Sequence, residues 1–318
     1  MTLPPAPAHP ERLVFLGTPE ASVVPLRALV DAGHDVALVV SQPDRRRGRG
    51  GRTSPSPVKQ AALDLGLPVT DAVDDALTVG ADMGVVVAFG RIVKPHVLAE
   101  LPMVNLHFSL LPRWRGAAPV ERAILAGDER TGVDLMVVEE GLDTGGVYGR
   151  TEVEIGPDET ADELRARLAV LGAELLVRHL RDGLSEPVPQ VGEPTYAHKL
   201  TVDEMALDWA GPAVEAHRRV RVGGAWTTYD GSRLKVWRTV LVPGPAGSPT
   251  GGDSAPAGPT TASVSGGPHA DTLPAGVDVP ADDGVVRLVE VQPEGKRRMS
   301  AADWARGLGT DPTDGLGR

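Results

Sequence analysis

The 318-residue chain contains no cysteine. This absence excludes disulfide bonds, a thiolate nucleophile and zinc sites built on cysteine, and it fits a reducing compartment. Aromatic residues are also scarce, at 3% of the chain. We therefore expect a core built mainly from valine, leucine and alanine.

Long apolar runs are missing as well. No run approaches the roughly 20 residues that a membrane-spanning helix needs. The first residues, up to Arg12, lack the apolar centre of a secretion signal. The sequence therefore predicts a cytoplasmic protein without membrane contact.

Positive charge is in the minority, because the net charge is -11. Any contact with nucleic acid must then come from a local patch. One basic block is present, and its members are Arg45, Arg46, Arg47, Arg49 and Arg52. Charge runs are usually solvated loops, but the position of this one after a buried apolar segment favours binding of phosphate groups.

Signatures of several common cofactors are absent. Gly17-Thr18-Pro19 follows the first apolar segment in place of G-x-G-x-x-G, which argues against a nicotinamide dinucleotide site. No phosphate-binding G-x-x-x-x-G-K-[ST] motif occurs. The eight histidines include no pair at H-x-x-x-H spacing, so we predict no metal site.

Short apolar segments alternate with helical patterns in the first half of the chain, which predicts a mostly parallel sheet. The segments lie at residues 12–16, 34–40, 85–89 and 104–109. Ligands of such sheets bind at the carboxyl ends of the strands. We expect a disordered N-terminus at 1–10 and a catalytic domain at 11–187, whose last element is an amphipathic helix at 159–180.

A second domain follows at residues 208–318, after a linker at 188–207. We expect it to contain one helix at 214–222 and short strands at 226–229, 234–241 and 285–291. Residues 243–280 are dominated by Gly, Pro, Ala, Ser, Thr and Asp. Such a composition buries too little apolar surface to offset its ordering entropy, so we predict a flexible insertion.

The most informative stretch begins at Val104, where apolar and polar residues alternate. A period of two places Asn105, His107 and Ser109 on one face of a strand. Polar groups on a buried strand are costly unless their face opens on a cleft. We therefore expect a functional cleft beside this strand.

A carboxylate, Asp143, follows the next apolar segment, at residues 133–138. An amide donor, an imidazole and a carboxylate suit the transfer of a carbonyl group through an oxyanion intermediate. The residues alone leave alternatives open. Asn105 fits a strand-end residue bonded to its own backbone equally well, and the spacing around Asp143 favours an ordinary turn aspartate.

These residues resemble the formyltetrahydrofolate-dependent formyltransferases, and the chain is identified as a member of that family. The matching segments cover nearly the whole chain and are Phe15–Pro19, Gln42–Arg45, Pro55–Lys59, Asn105–His107, Ser109–Pro119, Gly141–Gly145, Tyr196–Leu200, Leu207–Trp209 and Gln292–Ser300. Phe108 departs from the pattern, in which a small residue is usual. Because it alternates with His107, we expect altered packing without loss of chemistry.

The resemblance implies an α/β fold, with a Rossmann-like, mostly parallel formyltransferase domain followed by a small OB-like β-barrel. It implies 10-formyltetrahydrofolate as the donor and methionyl initiator tRNA as the acceptor, with Asn105, His107 and Asp143 as catalytic residues. We also expect a monomer.

The resemblance also implies where the two substrates bind. The folate contacts would come from Ser109, Leu110, Leu111 and Pro112, and from the chain around Phe89, Gly90 and Ile92. The arginine block would contact the acceptor stem of the tRNA, with Arg45 as its best single candidate.

Three other interpretations remain. A formyltetrahydrofolate hydrolase would need neither the arginine block nor the second domain. A sugar-nucleotide formyltransferase would share the catalytic residues, but the run Trp114–Pro119 and the C-terminal match disfavour it. An RNA-binding module without activity would not need Asn105, His107 and Asp143 together.

Overall fold

The computed structural model describes residues 3–46, 53–243 and 273–317. The chain divides into two compact units, Met1–Lys199 and Leu200–Arg318. The strands of the first unit are β1 (Arg12–Gly17), β2 (Asp35–Val40), β3 (Arg45–Arg46), β4 (Thr53–Ser54), β5 (Val69–Thr70), β6 (Met83–Val87), β7 (Met103–His107), β8 (Arg115–Gly116), β9 (Arg130–Val137), β10 (Val147–Glu154) and β11 (Tyr196–Ala197). Its helices are α1 (Val23–Asp31), α2 (Pro57–Asp64), α3 (Pro95–Leu98), α4 (Pro119–Ala126) and α5 (Ala161–Asp182).

A seven-stranded sheet forms the centre of the first unit, in the order β10-β9-β7-β6-β1-β2-β5. Strands β7, β6, β1, β2 and β5 run parallel, whereas β9 and β10 are antiparallel additions at one edge. The predicted Rossmann-like, mostly parallel sheet is therefore confirmed. Strand β9 runs antiparallel to β7, so its C-terminal end lies beside the start of β7, and the loop after β9 must turn back to bring Asp143 to His107.

Helix α5 begins with a capping box that the sequence encodes directly. The Thr160 hydroxyl accepts a hydrogen bond from the Glu163 amide, and the Glu163 carboxylate accepts one from the Thr160 amide. Leucines on the inner face, such as Leu164 and Leu168, are fully buried, and the helix packs against β9 and β10. The predicted helix at 159–180 is thus confirmed to within two residues at each end, and it supports the edge of the sheet that carries the candidate site.

The N-terminal segment differs from the expected disorder of residues 1–10. From Leu3 onward its placement is described: Leu3 packs against an apolar cluster of the first unit, and the Leu184 amide donates a hydrogen bond of 2.8 Å to the Ala8 carbonyl. Prolines at positions such as Pro4 and Pro5 restrict the backbone before folding, which lowers the entropy lost on ordering. The composition of the segment gave no sign of these contacts with residues far along the chain.

The second unit is a five-stranded antiparallel sheet with two helices. Its strands are β12 (Trp226–Tyr229), β13 (Ser232–Val242), β14 (Val277–Ala281), β15 (Gly284–Pro293) and β16 (Met299–Ser300), and its helices are α6 (Ala213–Val222) and α7 (Ala301–Arg306). The order is β12-β13-β15-β14, and β16 pairs with β15. Register shifts between Val236 and Thr239 bend β13, so the sheet curls as expected of an OB-like domain.

The predicted insertion at 243–280 requires a correction at its C-terminal end. Residues 244–272 lie outside the described part of the chain. Residues Val277–Ala281 form β14, in which Val277 and Val279 are buried and pair with β15. The alternation of these valines with polar residues is ordinary strand periodicity, which the composition of the longer segment concealed.

Across the described residues, we find no helix that combines the length and the apolar character needed to span a bilayer.

Candidate active site

Strand β7 positions Asn105 and His107. The strand lies between β6 and β9, and backbone pairing on both sides fixes its register: Asn105 lies opposite Val86 and Met136. Val104 and Leu106, which alternate with the polar pair, are buried in the core. The strand therefore presents Asn105 and His107 on one face, as their period of two predicted.

The Asn105 amide is available to a ligand. Asn105 is half-buried, and within the described part of the chain its side chain has no hydrogen-bond partner. Because the residue is half-buried, its amide remains within reach of solvent or of a ligand. An unpaired amide donor on this strand is suited to an oxyanion that forms during a reaction.

His107 is buried, with 5% of its surface exposed, and its two ring nitrogens have different surroundings. Nε2 lies 2.9 Å from the Trp114 carbonyl oxygen, which can only accept, so we assign the proton to Nε2. Nδ1 faces the Asp143 carboxylate at 3.7 Å. In this tautomer Nδ1 is the acceptor nitrogen of the ring.

Asp143 lies in the loop between β9 and β10 and has a left-handed backbone, with φ of 51°. Its Oδ2 accepts a hydrogen bond of 2.8 Å from the Gly116 amide. Glycine is required nearby, because a Cβ on Gly145 would lie 2.1 Å from the Val137 carbonyl oxygen. The loop therefore brings the carboxylate to His107 through close backbone contacts.

The loop Ser109–Pro112 follows β7 and is internally bonded. The buried Ser109 hydroxyl donates to the Arg113 carbonyl at 2.7 Å, and Leu111 is 3% exposed. Only Leu110 and Pro112 are half-buried. Among these four residues, Leu110 and Pro112 can contact a ligand, whereas Ser109 and Leu111 shape the loop.

An ion pair between a buried aspartate and a partly exposed arginine, which sequence inspection missed, fixes this loop. Asp134 of β9 is fully buried; it accepts 2.8 Å and 2.7 Å bonds from Arg150 of β10 and a 2.9 Å bond from the Leu111 amide. Arg150 also donates to the Leu111 carbonyl at 2.7 Å. Burial raises the pKa of Asp134, while the bonds from Arg150 oppose that rise. A lone aspartate within the apolar segment 133–138 was the available signal.

The loop after β6 presents fewer contact residues than expected. The Phe89 side chain is 2% exposed and belongs to the core. Its carbonyl accepts bonds of 2.9 Å from the Thr18 hydroxyl and the Gln42 amide. Gly90 is exposed and has φ of 75°, and Ile92 is 85% exposed. Gly90 and Ile92 therefore offer surface, and Phe89 supports them from beneath.

Part of the arginine block forms a small hairpin. Arg45 and Arg46 in β3 pair with Thr53 and Ser54 in β4. Arg45 donates to the Gln42 side chain, and Gln42 donates to the Phe89 carbonyl, so the base of the hairpin is connected to the loop after β6. The predicted residues Arg47, Arg49 and Arg52 lie outside the described residues.

The segment predicted as a domain linker contributes to the first unit instead. Val188 and Val147 exchange backbone hydrogen bonds of 2.8 Å and 2.9 Å. The Thr195 hydroxyl accepts a 2.9 Å bond from the Trp114 amide, and the Ala197 carbonyl accepts one of 2.8 Å from the Ala117 amide. Residues 188–197 therefore lie against the loops that carry the site.

A cavity of about 1030 Å³ borders the Asp143 loop. One wall comes from five residues between Leu3 and Ala8, and another from Val137–Gly141 and Thr144. Asn105 and His107 do not line it, so the cavity adjoins the polar cluster and does not contain it. Its volume suits a small organic molecule. In the described ranges, no three His, Asp or Glu side chains are grouped to bind a metal ion.

The structure brings an imidazole and a carboxylate together beside the amide of Asn105, from β7 and from the loop after β9, and these groups suit the transfer of a carbonyl group. Residues 11–180 match the formyl transferase family, and residues 199–309 match the formyl transferase C-terminal domain. The chain belongs to the formyl transferase family.

A curated relative is similar over almost the full length. The chain is 43% identical over 316 residues to the methionyl-tRNA formyltransferase of Symbiobacterium thermophilum, covering 94% of this chain and 93% of the relative. Seven further curated relatives, at 41–43% identity, carry the same name. The similarity therefore extends through both units.

Solved structures share the fold. Methionyl-tRNA formyltransferase from Clostridium thermocellum matches with a TM-score of 0.52 and 15% identity, over 73% of this chain and 93% of that one. HypX from Aquifex aeolicus in complex with tetrahydrofolic acid matches with a TM-score of 0.60 and 16% identity, over 95% of this chain and 47% of that one. At these identities the likeness establishes the fold alone.

Proposed function

We propose that this chain transfers the formyl group of 10-formyltetrahydrofolate to the α-amino group of methionyl initiator tRNA. The observation that carries the proposal is His107, positioned between Asp143 and the Trp114 carbonyl and beside the unpaired Asn105 amide. The name shared by the full-length relatives supports the choice of substrates. We place the reaction in the cytoplasm and assign it to a monomer.

The reaction follows from the donors and acceptors at the site. The methionyl nitrogen attacks the formyl carbon, and the Asn105 amide donates to the oxyanion of the tetrahedral intermediate. His107 accepts a proton from the attacking nitrogen through Nδ1 and returns it to N10 of the folate as the carbon–N10 bond breaks. Asp143 stabilises the protonated ring at 3.7 Å. The products are formylmethionyl-tRNA and tetrahydrofolate.

We assign the folate-derived donor to the surface formed by the loops after β6, β7 and β9. Gly90 and Ile92 lie on the first loop, and Leu110 and Pro112 on the second. The exposed Ile92 side chain supplies apolar surface for a flat ring system. HypX was crystallised with tetrahydrofolic acid, which supports the class of donor through a shared fold.

We assign the tRNA to two basic regions. The arginine block begins at Arg45, which is exposed and connected through Gln42 to the loop after β6, and arginines bind phosphates through charge and multiple donors. In the second unit, the Arg298 guanidinium, which is also ion-paired with Glu290, stacks 5.0 Å from the ring of the partly exposed Trp237. Aromatic and cationic groups together suit unpaired nucleotides.

The test is formylation with 10-formyltetrahydrofolate and different acceptors. We expect turnover with charged initiator methionyl-tRNA and much less with charged elongator methionyl-tRNA. Formate release without an acceptor would identify a hydrolase, and formylation of an amino-sugar nucleotide would identify a sugar-nucleotide enzyme. The Asn105→Ala/His107→Ala variant is the control for contaminating activity. Light scattering at about the 33.3 kDa chain mass tests the monomer.

A further inference from the structure

Gln190 uses both ends of its side chain next to the Asp143 loop. Its Nε2 donates hydrogen bonds to the Asp143 carbonyl at 2.9 Å and to the Gly145 carbonyl at 2.8 Å. Its Oε1 accepts bonds of 3.1 Å and 2.7 Å from the Arg115 guanidinium. One half-buried amide therefore connects two backbone positions of the loop with the side chain of β8.

The same strand also binds the carboxylate of Asp143. Gly116, next to Arg115 in β8, donates its amide proton to Asp143 Oδ2 at 2.8 Å. Asp143 is thus attached to β8 at two points, through its carboxylate by Gly116 and through its carbonyl by Gln190 and Arg115. Two attachments restrict rotation as well as translation of the residue.

Asp143 needs such external contacts because its own backbone does not supply them. The residue has φ of 51°, a left-handed conformation that is uncommon for residues other than glycine, although aspartate adopts it more readily than most. It lies between the ends of β9 and β10, outside their ladder. Strained backbone at functional sites persists only where the surrounding structure determines it, and Gln190 donates to the carbonyl of this very residue.

We propose that Gln190 is a positioning residue for the reaction, which fixes Asp143 at its distance from His107. The inference rests on the proposed function for its kinetic test. An amide is the required side chain, since it combines a double donor for the two carbonyls with an acceptor for Arg115. A glutamate in its place keeps the acceptor for Arg115 but loses both donors and sets a negative charge against two carbonyl oxygens.

The kinetic test compares Gln190→Ala and Gln190→Glu with wild type. We expect kcat to fall about 10- to 100-fold in both, with KM for donor and acceptor nearly unchanged, because misplacement of a catalytic group mainly affects the transition state. The matched control is Gln60→Ala, which deletes an exposed bond from Gln60 to Asp64 on α2 and leaves kcat unchanged. Normal kcat in Gln190→Glu would overturn the proposal.

A double-mutant cycle separates positioning from general loss of structure. If Gln190 acts through Asp143, then Gln190→Ala causes no further loss of kcat in an Asp143→Ala background, since coupled sites are not additive. An equal loss in both backgrounds would overturn the proposal, because Gln190 would then act elsewhere.

Hydrogen–deuterium exchange tests the same contact without turnover. We expect the amides of residues 141–146 to exchange faster in Gln190→Glu than in wild type, with exchange in β6 unchanged. Unchanged exchange in the loop would contradict the role of Gln190. Absence of formylation by wild type would sink the proposed function alone, because the exchange experiment does not depend on it.

Discussion

The two halves of the candidate site are fixed in different ways. Asn105 and His107 lie on β7, a strand paired on both sides by β6 and β9. Asp143 lies on a loop with a left-handed backbone, attached to the rest of the unit by hydrogen bonds from Gly116 and Gln190. One half depends on sheet pairing, and the other on a few side-chain and backbone contacts.

This difference means that the strand residues of the site are held in fixed positions, whereas the position of the loop residue can change at lower cost. Strand residues are positioned to within small deviations by many cooperative bonds, whereas a loop with few contacts opens at lower free energy. His107 Nδ1 and Asp143 Oδ2 are 3.7 Å apart, longer than a hydrogen bond. We expect any shortening of this distance on substrate binding to be a small shift of the Asp143 side chain within the contacts of Gly116 and Gln190, while β7 stays in place.

The largest effect is expected from the strand half. Asn105→Ala and His107→Ala remove the oxyanion donor and the proton acceptor, so each should lower kcat by about 100- to 1,000-fold. The measurement is single-turnover formylation of methionyl-tRNA, with circular dichroism to check folding. Near-normal turnover in a folded variant would remove that residue from the mechanism.

The next effect concerns stability and comes from the ion pair beneath the Ser109–Pro112 loop. Asp134→Ala leaves the Leu111 amide without its acceptor and Arg150 without its partner. We expect a loss of about 2–3 kcal/mol in the free energy of unfolding, less than for a fully buried pair because Arg150 is partly exposed. Urea denaturation measures it.

An exposed ion pair provides the control for Asp134→Ala. Asp278→Ala breaks the pair with Arg287 at the surface of the second unit, where Asp278 is 45% exposed. Its cost should stay within about 1 kcal/mol. Equal losses in the free energy of unfolding for the two variants would show that the Asp134–Arg150 pair contributes no more to stability than a surface ion pair. A raised KM for the folate donor in Asp134→Ala alone would connect the pair to the loop.

The strand half could be predicted from the sequence because its information is local. The alternation around Asn105 and His107 gives both the element and the shared face, and the structure has β7 at Met103–His107. The glycines around Asp143 likewise indicated a tight loop, and Gly145 indeed lies against the Val137 carbonyl. A local period of two and a requirement for glycine in a tight loop can both be recognised in the sequence without knowing which distant residues make contact.

The contacts that fix the loop half could not be predicted, because their partners are distant in the chain. Gln190 binds Asp143 across 47 positions, and Thr195 binds Trp114 across 81. A Pro-rich, polar segment gives no periodic signal, so the sequence predicts only a linker, at residues 188–207. Strand β14 was concealed for a different reason, because its short alternation adjoins a low-complexity stretch whose composition dominates the segment.

A glycine substitution tests how closely the loop half is fitted. Gly145→Ala would place a Cβ 2.1 Å from the Val137 carbonyl oxygen, so the backbone of the loop must shift. We expect kcat to fall about 10- to 30-fold through misplacement of Asp143. The control is Gly211→Ala, whose new Cβ would meet its nearest neighbour, Asp208, at 3.6 Å. Equal kcat in both variants would show that the loop tolerates the shift.

The smallest effect is expected at the arginine block, which should act on binding and not on chemistry. Replacing Arg45, Arg46 and Arg47 by alanine should weaken tRNA binding several-fold and leave folate binding unchanged. For every phosphate that the variant no longer binds, the slope of log K against log salt should become shallower by about 0.7–0.9, because fewer counterions are released. Filter binding of methionyl-tRNA at several salt concentrations measures the slope.

Two controls decide what the salt slope means. A triple variant of exposed arginines on α1 and α5, Arg27, Arg178 and Arg181 to alanine, removes the same charge away from the block; an equal change in slope would show a general charge effect. Arg45→Ala alone also releases Gln42, whose amide donates to the Phe89 carbonyl. If Arg45 contacts only phosphate, this variant changes the slope and not the KM for folate. A raised KM for folate would mean that Arg45 supports the loop after β6. The base of the arginine block would then resemble the Asp143 loop, in that side-chain hydrogen bonds hold it in place.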